Sequence, residues 1–303
     1  MNTKSLIVVV GPTAIGKTSL GIELANYFDT EVISADSRQF FKEMSIGTAA
    51  PTAEELAAAP HHFIQHRSVK DDYSIGDFER EALAKLEELF KNHNEVIMVG
   101  GSGLYVDAVT KGLDSFPKVD PNIRTELKNE LEQKGIATLQ EKLKKLDPDY
   151  YSEVDLQNPH RVIRALEICI GTGKTFSSFR KDRAPKRPFK TLYLGLTAER
   201  ELVYNRINRR VDQMMEEGLL EEVKGLYSKK DLNALNTVGY KELFKYLDGE
   251  WSLNFAVSEI KKNTRRFAKR QFTWFKKNEE INWFPYDTPS EEIINFIKEA
   301  TID

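Results

Sequence analysis

Short apolar runs alternate with amphipathic stretches along the first hundred residues. The runs SLIVVV (5–10), EVISAD (31–36) and EVIMVGG (95–101) have the composition of buried strands. Between them, KTSLGIELANYF and GDFEREALAKLEELFKNH carry apolar residues at helical spacing. This β–α–β alternation predicts an α/β fold in which helices flank a parallel sheet.

Helical patterns replace the strand signals after about residue 115. In DPNIRTELKNELEQKG, Asp120 is the predicted N-cap and Gly135 the predicted stop, and TLQEKLKKLDPDYY predicts a second helix. In NPHRVIRALEICIGTGK, Asn158 is the predicted N-cap of a third helix. The next strand signal is TLYLGLT at 191–197, and nearly everything after residue 198 predicts helix.

The change of pattern predicts two domains. We expect residues 1–115 and 191–303 to form the α/β core, with a C-terminal part rich in helices. We expect residues 116–190 to form an all-helical insertion within it.

Composition narrows the class of protein. The 303 residues are 40% hydrophobic and 30% charged, as in ordinary globular proteins. No apolar run reaches the roughly 18 residues of a membrane span, and the N-terminal run is too short for a signal peptide, so we expect a cytoplasmic protein. The single cysteine, Cys169, excludes an internal disulfide, and His61, His62 and His66 lack the neighbours of a metal site.

The segment GPTAIGKT matches the phosphate-loop motif G-x-x-x-x-G-K-[ST] between the first strand and the first helix. Glycines let backbone N–H groups approach phosphate oxygens, and the helix N-terminus adds a favourable dipole. We expect Lys17 to neutralise the outer phosphate and the Thr18 hydroxyl to ligate Mg²⁺. The predicted phosphate-binding residues are Gly11, Pro12, Thr13, Ala14, Ile15, Gly16, Lys17 and Thr18.

A carboxylate follows the second strand rather than the third. Phosphoryl-transfer NTPases usually have an acid at a strand end that helps to hold Mg²⁺, but the third strand here ends in MVGGSGLY. Asp36, in ISADSRQ, is expected near the phosphate loop because the carboxyl ends of parallel strands share one edge of the sheet. It could accept a proton from a nucleophile there, although an aspartate that only shapes a turn remains an alternative.

Nine segments, in order over about residues 7 to 275, resemble the bacterial type of the tRNA dimethylallyltransferases, or tRNA isopentenyltransferases. They are GPTAIGKT, ISADSRQFF, IGTAAPT, APHHFI, YSIGDFERE, VGGSGLY, NPHRVIRALEI, NTVGYKE and AKRQFTWF. The resemblance implies that the loop binds the diphosphate of dimethylallyl diphosphate, with Mg²⁺ as cofactor. It further implies that carbon, not phosphorus, is transferred, to N6 of adenine 37 beside the tRNA anticodon.

The resemblance gives the candidate catalytic residues their roles. Asp36 would take the proton of the adenine amine, which can accelerate the reaction about 10²- to 10⁴-fold. Lys17, Thr18 with Mg²⁺, and an arginine would stabilise the departing diphosphate. Arg206 and Arg210 lie four residues apart on one predicted helix face, and we favour Arg210, with a solvated helix face as the alternative.

The resemblance also implies a base-flipping site for tRNA, because the target adenine must leave its stack to react. Gln39 has the amide needed to read a base edge, and Ser102 keeps a hydroxyl where the family has threonine. The predicted tRNA-binding residues are Asp36, Ser37, Arg38, Gln39, Ser102, Arg124, His160, Arg161, Val162, Ile163, Arg164, Thr237, Lys241, Arg266, Lys269 and Arg270.

Local basic clusters favour RNA binding despite a formal net charge of −3. KKNTRRFAKRQFTWFKK, residues 261–277, has eight basic residues and no acid, and RKDRAPKRP at 180–188 is a second cluster. We expect the cations of the first cluster to contact RNA and its aromatic side chains to pack in the core.

Three alternatives stay open on sequence alone: an adenylate isopentenyltransferase, a small-molecule P-loop kinase and a non-catalytic RNA-binding module. The helical insertion with its arginines argues against a free nucleotide as acceptor, and the third alternative leaves Lys17 and Asp36 unexplained. The chain departs from the family at Phe41, Ser45 and Ala50, where tyrosine, aspartate and lysine are common. We expect a monomer that binds tRNA through the anticodon stem-loop.

Overall fold

A single parallel sheet forms the centre of the protein. The computed structural model describes residues 4–180 and 186–301, and the six strands within them lie in the order β3-β2-β4-β1-β5-β6. The strands are β1 Ser5–Val10, β2 Val32–Ser34, β3 His61–His62, β4 Glu95–Val99, β5 Lys190–Thr197 and β6 Ile281–Pro285. All pairings are parallel, so the predicted α/β class with a parallel sheet is confirmed.

Helices follow most of the strands and flank the sheet. The helices are α1 Lys17–Tyr27, α2 Ala53–Ala58, α3 Ile75–Leu89, α4 Gly103–Thr110, α5 Pro121–Lys134, α6 Ile136–Leu146, α7 Pro148–Glu153, α8 Pro159–Thr172, α9 Arg200–Glu216, α10 Leu219–Leu226, α11 Tyr240–Leu247, α12 Leu253–Phe275 and α13 Ser290–Thr301. None of the helices in the described part of the chain is both long and apolar enough to cross a membrane.

The side chains of β1 alternate between the two faces of the sheet. Leu6, Val8 and Val10 pack in one core with α3 and α4, whereas Ile7 and Val9 pack in the other with α1, α9 and α13. All five are fully buried, and burial of each such side chain stabilises the fold by about 1.5–3 kcal/mol. The phosphate loop therefore follows a strand that is held on both faces.

Backbone hydrogen bonds tie together the carboxyl ends of three strands. The N–H of Ala35 donates to the carbonyl of Val99 (2.8 Å), and the N–H of Gly100 donates to that of Val9 (3.1 Å). A Cβ on Gly100 would lie 2.7 Å from Ala35, so this close approach requires glycine. The loops after β1, β2 and β4 thus share one edge of the sheet, as the sequence predicts.

The sequence prediction missed two strands. β6 pairs in parallel with β5, so the expectation of almost continuous helix after residue 198 is wrong there. A five-residue apolar run such as INWFP is too short for periodicity to distinguish strand from helix. β3 consists of two histidines and carries no strand signal.

Residues of Gly112–Lys186 form a compact unit of their own, and those of Met1–Lys111 with Arg187–Asp303 form the other. In the smaller unit, Asp120 and Asn158 cap α5 and α8 through their side chains, as predicted. The stretch TLQEKLKKLDPDYY is not one helix, because the buried carboxylate of Asp147 begins α7 there by accepting the N–H of Tyr150 (3.0 Å). Cys169 lies in the buried core of this unit.

Candidate active site

The phosphate loop connects β1 to α1 in a conformation that needs its glycines. Gly11 and Gly16 have φ of 145° and 112°, values that other residues rarely adopt, and Gly16 is the N-cap of α1. The ammonium of Lys17 donates to the carbonyl of Pro12 (2.8 Å), so the side chain folds back over the loop. Thr18, in the first turn of α1, lines the same cavity as Lys17.

Lys17 lies in an unusual electrostatic environment. Burial lowers the pKa of its ammonium from 10.5 to about 8; the charge of Asp36 opposes this shift and that of Arg210 adds to it. Burial also lowers the pKa of Arg210, again opposed by Asp36. Two cations and one carboxylate therefore interact in one cavity, an arrangement that a bound polyanion would stabilise.

Asp36 stands in the turn after β2. Its Oδ1 accepts the N–H of Arg38 (3.1 Å), and the neighbouring Ser37 contacts the Ser102 hydroxyl through its N–H (3.3 Å) and its own hydroxyl (3.2 Å). These contacts join the turn after β2 to the N-terminus of α4. The amide of Gln39 is already engaged, because it donates to the Ala49 carbonyl (2.9 Å).

Two adjoining cavities lie at the carboxyl edge of the sheet, with volumes of about 60 and 540 Å³. The smaller one is lined by Lys17, Thr18 and Gln39, among others. Asp36 and Arg210 line both, so the carboxylate stands at the junction between the phosphate-loop cavity and the larger one. Further residues lining the larger cavity include Ser37, Arg38, Ser102, Ile207, Val211, Met214, Thr237, Val238, Lys241, Ile260, Arg270 and Trp274.

The two arginines of NRINRRVDQM differ in their contacts. Arg210 lines both cavities, whereas the Arg206 Nε donates to the Ala14 carbonyl (2.6 Å) and its guanidinium stacks on Tyr286. Arg206 thus holds the phosphate loop through the backbone. Of these two arginines on one helix face, Arg210 therefore lines the cavities and Arg206 supports the phosphate loop.

The three cations of α12 that are predicted to bind RNA lie in different surroundings. Arg270 lines the larger cavity, Lys269 lines a groove beside Pro12, and Arg266 is exposed near Asn263. Only Arg270, of the three predicted RNA-binding cations on α12, therefore lines the larger cavity.

The aromatic side chains of α12 do not all pack in the core. Phe275 is 3% exposed, in agreement with the expectation, but Phe267 and Trp274 are 37% and 38% exposed and line the larger cavity. The expectation is wrong for these two because helical spacing carries positions 267 and 274 onto the cavity side of α12.

The second predicted basic cluster is only partly described, since residues 181–185 lie outside the described part of the chain. Arg187 pairs with Glu79 (2.7 Å) and donates to the Ala108 carbonyl (2.7 Å), with its side chain 12% exposed. Arg187 is therefore mostly buried and braces the α/β unit, and RNA binding by the cluster as a whole stays a prediction. Arg180 pairs with Glu153.

In the smaller unit, the predicted RNA-binding residues fall into two groups. Arg124 and Arg164 share the carboxylate of Glu167 (3.1 and 3.3 Å) and remain about two-fifths exposed. Val162 and Ile163 are 0% and 4% exposed, because their positions face the core of the unit. These two side chains are therefore closed off in the core, whereas His160 and Arg161 are exposed, and contact of the segment with RNA stays a prediction.

Sequence reasoning missed two polar residues that organise the site. Gln271 hydrogen-bonds both Thr13 and Gly101, and Glu222 accepts from the loop that contains Gly47. Gln271 lies in AKRQFTWF, one of the segments that carry the family resemblance, but within a basic run that drew attention to its cations. Glu222 lies on an amphipathic helix and has no motif of its own.

Comparison with known proteins decides the family. The family model described as IPP transferase matches residues 39–278. The chain belongs to the IPP transferase family. The resemblance drawn from the nine sequence segments is thereby confirmed.

Curated relatives of this IPP transferase carry the name tRNA dimethylallyltransferase. The protein of Christiangramia forsetii is 62% identical over 293 residues, which cover 97% of each chain. That of Flavobacterium johnsoniae is 57% identical over 302 residues, which cover 98% of each chain.

Solved structures share the fold of this IPP transferase. The full-length tRNA isopentenylpyrophosphate transferase of Bacillus halodurans is 40% identical, with a TM-score of 0.74 over 98% of this chain and 97% of that one. A eukaryotic dimethylallyltransferase acting on tRNA is 28% identical, with a TM-score of 0.81 over 98% of this chain and 78% of that one. The predicted P-loop-like fold is confirmed.

Proposed function

We propose that the protein transfers the dimethylallyl group of dimethylallyl diphosphate to N6 of adenine 37 in tRNA and releases diphosphate. The observation that carries this proposal is the position of Asp36, which lines both the phosphate-loop cavity and the larger cavity. A donor held by the loop and an acceptor held in the larger cavity would meet at this carboxylate. The name shared by the relatives, tRNA dimethylallyltransferase, supports tRNA rather than a free nucleotide as acceptor.

The reaction needs one bond to form and one to break. The lone pair of the N6 amine attacks the prenyl carbon, and the electrons of the C–O bond leave with the diphosphate. Asp36 accepts the proton that the amine loses, while Lys17 and Arg210 stabilise the charge that develops on the diphosphate. The apolar side chains of Ile207, Val211 and others along the larger cavity suit a five-carbon chain.

The residues of the smaller cavity fit Mg²⁺. Thr18 offers a hydroxyl oxygen, and such hard oxygen ligands are those that Mg²⁺ prefers. The ion would supply further neutralisation of the diphosphate oxygens. Thr18 would hold it at the start of α1.

The RNA would enter through the larger cavity. Arg270 supplies a cation for a phosphate, and the exposed rings of Phe267 and Trp274 offer stacking faces for unpaired bases. In the smaller unit, Arg161 and Arg164 would contact the backbone of the anticodon stem-loop. We propose these roles together with a monomeric enzyme.

Mass spectrometry of digested RNA tests this function. The protein is incubated with dimethylallyl diphosphate, Mg²⁺ and an unmodified anticodon stem-loop RNA. We expect an adenosine heavier by one five-carbon unit, and no such product from an RNA in which guanine replaces adenine 37. A prenylated free nucleotide with unmodified RNA would instead indicate the adenylate class and contradict the proposal.

A further inference from the structure

A buried side-chain amide joins two loops of the site. Gln271, on α12, is 6% exposed. Its Oε1 accepts the N–H of Thr13 in the phosphate loop (2.9 Å), and its Nε2 donates to the carbonyl of Gly101 in the loop after β4 (2.9 Å). One amide therefore satisfies a backbone donor and a backbone acceptor that belong to different strand ends.

The contact at Gly101 is close enough to restrict the sequence there. A Cβ at this position would collide with the Gln271 Nε2 and approach the Lys17 ammonium to 3.7 Å. The absence of a side chain at Gly101 therefore leaves room for the Gln271 amide in this position, whereas its backbone angles do not call for glycine, since its φ is not among the positive values.

Each end of the amide leads to one of the proposed reactants. Thr13 belongs to the loop that would hold the diphosphate. Gly101 precedes Ser102, whose hydroxyl contacts Ser37 beside Asp36. Gln271 therefore lies on a short path that connects the leaving-group loop to the proposed base.

We propose that Gln271 is a positioning residue that fixes the separation between the phosphate loop and Asp36. This inference rests on the proposed function for its consequence, because in-line transfer requires the leaving oxygen, the prenyl carbon and the amine to be held in register. It also makes Thr13 an unusual loop residue: its N–H serves the protein rather than the ligand.

Gln271→Met tests the bridge, because methionine has a similar length but cannot make either hydrogen bond. We expect the kcat per folded enzyme to fall at least about tenfold, since misplacement of reacting groups is costly, while the KM for RNA stays within about twofold. A residue with only a structural role would lower the folded fraction, followed by circular dichroism, and leave kcat per folded molecule unchanged.

Gln271→Glu adds a pH-dependent test. The carboxylate could still accept the Thr13 N–H but would repel the Gly101 carbonyl, whereas its protonated form can donate to that carbonyl. Burial favours the protonated form, so the ratio of variant to wild-type kcat should rise as pH falls from 8 to 6. A ratio that does not change with pH would count against the bridge.

A binding experiment separates failure of this inference from failure of the proposed function. Titration of inorganic diphosphate with Mg²⁺, without RNA, should show at least about fivefold weaker binding by Gln271→Met, because the loop is less well organised in advance. Gln213→Met is the matched control, since Gln213 is exposed and its amide donates to Glu217 (2.7 Å) on the same helix. Unchanged diphosphate affinity together with unchanged kcat per folded enzyme would overturn the inference, whatever product the wild type forms.

Discussion

The proposed chemistry depends on three charged residues, Lys17, Asp36 and Arg210, whose charges interact. The Lys17 ammonium is disfavoured by burial and by Arg210 but favoured by Asp36. A diphosphate would bring negative charge to both cations, and both cations also interact with Asp36. Each of the three residues therefore influences both donor binding and proton transfer.

Asp36→Asn tests the base. Asparagine keeps the side-chain oxygen that accepts the Arg38 N–H but cannot take the amine proton. We expect kcat to fall at least about a hundredfold with RNA affinity unchanged, measured by single-turnover kinetics and filter binding. Asp29→Asn is the control, because Asp29 is exposed and its φ of 48° suits asparagine. A variant with wild-type turnover would remove Asp36 as the base.

The pH dependence of donor binding tests Lys17. With a pKa of about 8 the ammonium loses its proton as pH rises through that value, so the cation is present below pH 8 and lost above it. We expect the KM for dimethylallyl diphosphate to rise towards about tenfold per pH unit above pH 8. Lys17→Arg keeps its charge over this range and should lack the rise. A wild-type KM that stays flat from pH 7 to 9.5 would contradict this account.

The sequence predicted the site residues that belong to short, continuous motifs next to a strand. Lys17 ends the loop after β1 and Asp36 stands in the turn after β2, so the shared edge of a parallel sheet brings them together. Val162 and Ile163 show the opposite case: the family motif implies contact with RNA, but helical geometry turns both side chains into a core. A motif identifies the segment and does not by itself say which of its side chains face a ligand.

Residues 45–47, in the segment after β2, are held by hydrogen bonds to a helix far along the chain. The carboxylate of Glu222, on α10, accepts the N–H groups of Ser45 (2.9 Å), Ile46 (2.8 Å) and Gly47 (3.0 Å) and the hydroxyl of Tyr240 (2.6 Å). Gly47 lies against the Tyr240 ring. This carboxylate therefore holds one wall of the larger cavity.

Glu222→Gln should weaken the hydrogen bonds that hold residues 45–47 against α10. An amide offers one acceptor oxygen, so backbone donors lose partners, and we expect the free energy of unfolding to fall by about 1–3 kcal/mol in urea denaturation. Glu221→Gln is the matched control, because Glu221 is exposed, pairs with Lys224, and should change stability by less than about 0.5 kcal/mol. Equal effects of the two substitutions would show that Glu222 does not hold the loop.

The sequence could not predict the hydrogen bonds of Glu222 and Gln271, because the residues that these bonds join are far apart along the chain. The bonds of Glu222 to the backbone of residues 45–47 cross more than 170 positions, and those of Gln271 cross up to 258. Periodicity and capping rules describe neighbours within a helical turn. They located α5 and α8 through Asp120 and Asn158, whose caps are local, but carried no information on contacts between elements.

For the whole molecule, the account assigns different tasks to the two units. The α/β unit carries both cavities, and in the smaller unit the partly exposed Arg124 and Arg164 share the carboxylate of Glu167. A phosphate backbone would add negative charge beside these two cations. We therefore expect cations of both units to contribute to the salt dependence of RNA affinity.

Salt dependence measures the part played by the smaller unit. Arg161→Ala and Arg164→Ala should each weaken RNA binding and reduce the slope of log affinity against log salt by about 0.7–0.9, as expected for one lost phosphate contact. Lys298→Ala removes an exposed cation from α13 and should leave the slope unchanged. Unaltered slopes in both arginine variants would place these residues outside the RNA-binding surface.

A donor labelled at two positions shows which group the enzyme transfers. Dimethylallyl diphosphate labelled with ¹⁴C in the prenyl group and ³²P in the diphosphate is supplied with the anticodon stem-loop RNA and Mg²⁺. The account predicts that ¹⁴C enters the RNA while an equal amount of ³²P is released as intact diphosphate. Transfer of ³²P to any acceptor, or an absence of ¹⁴C from the RNA, would contradict it.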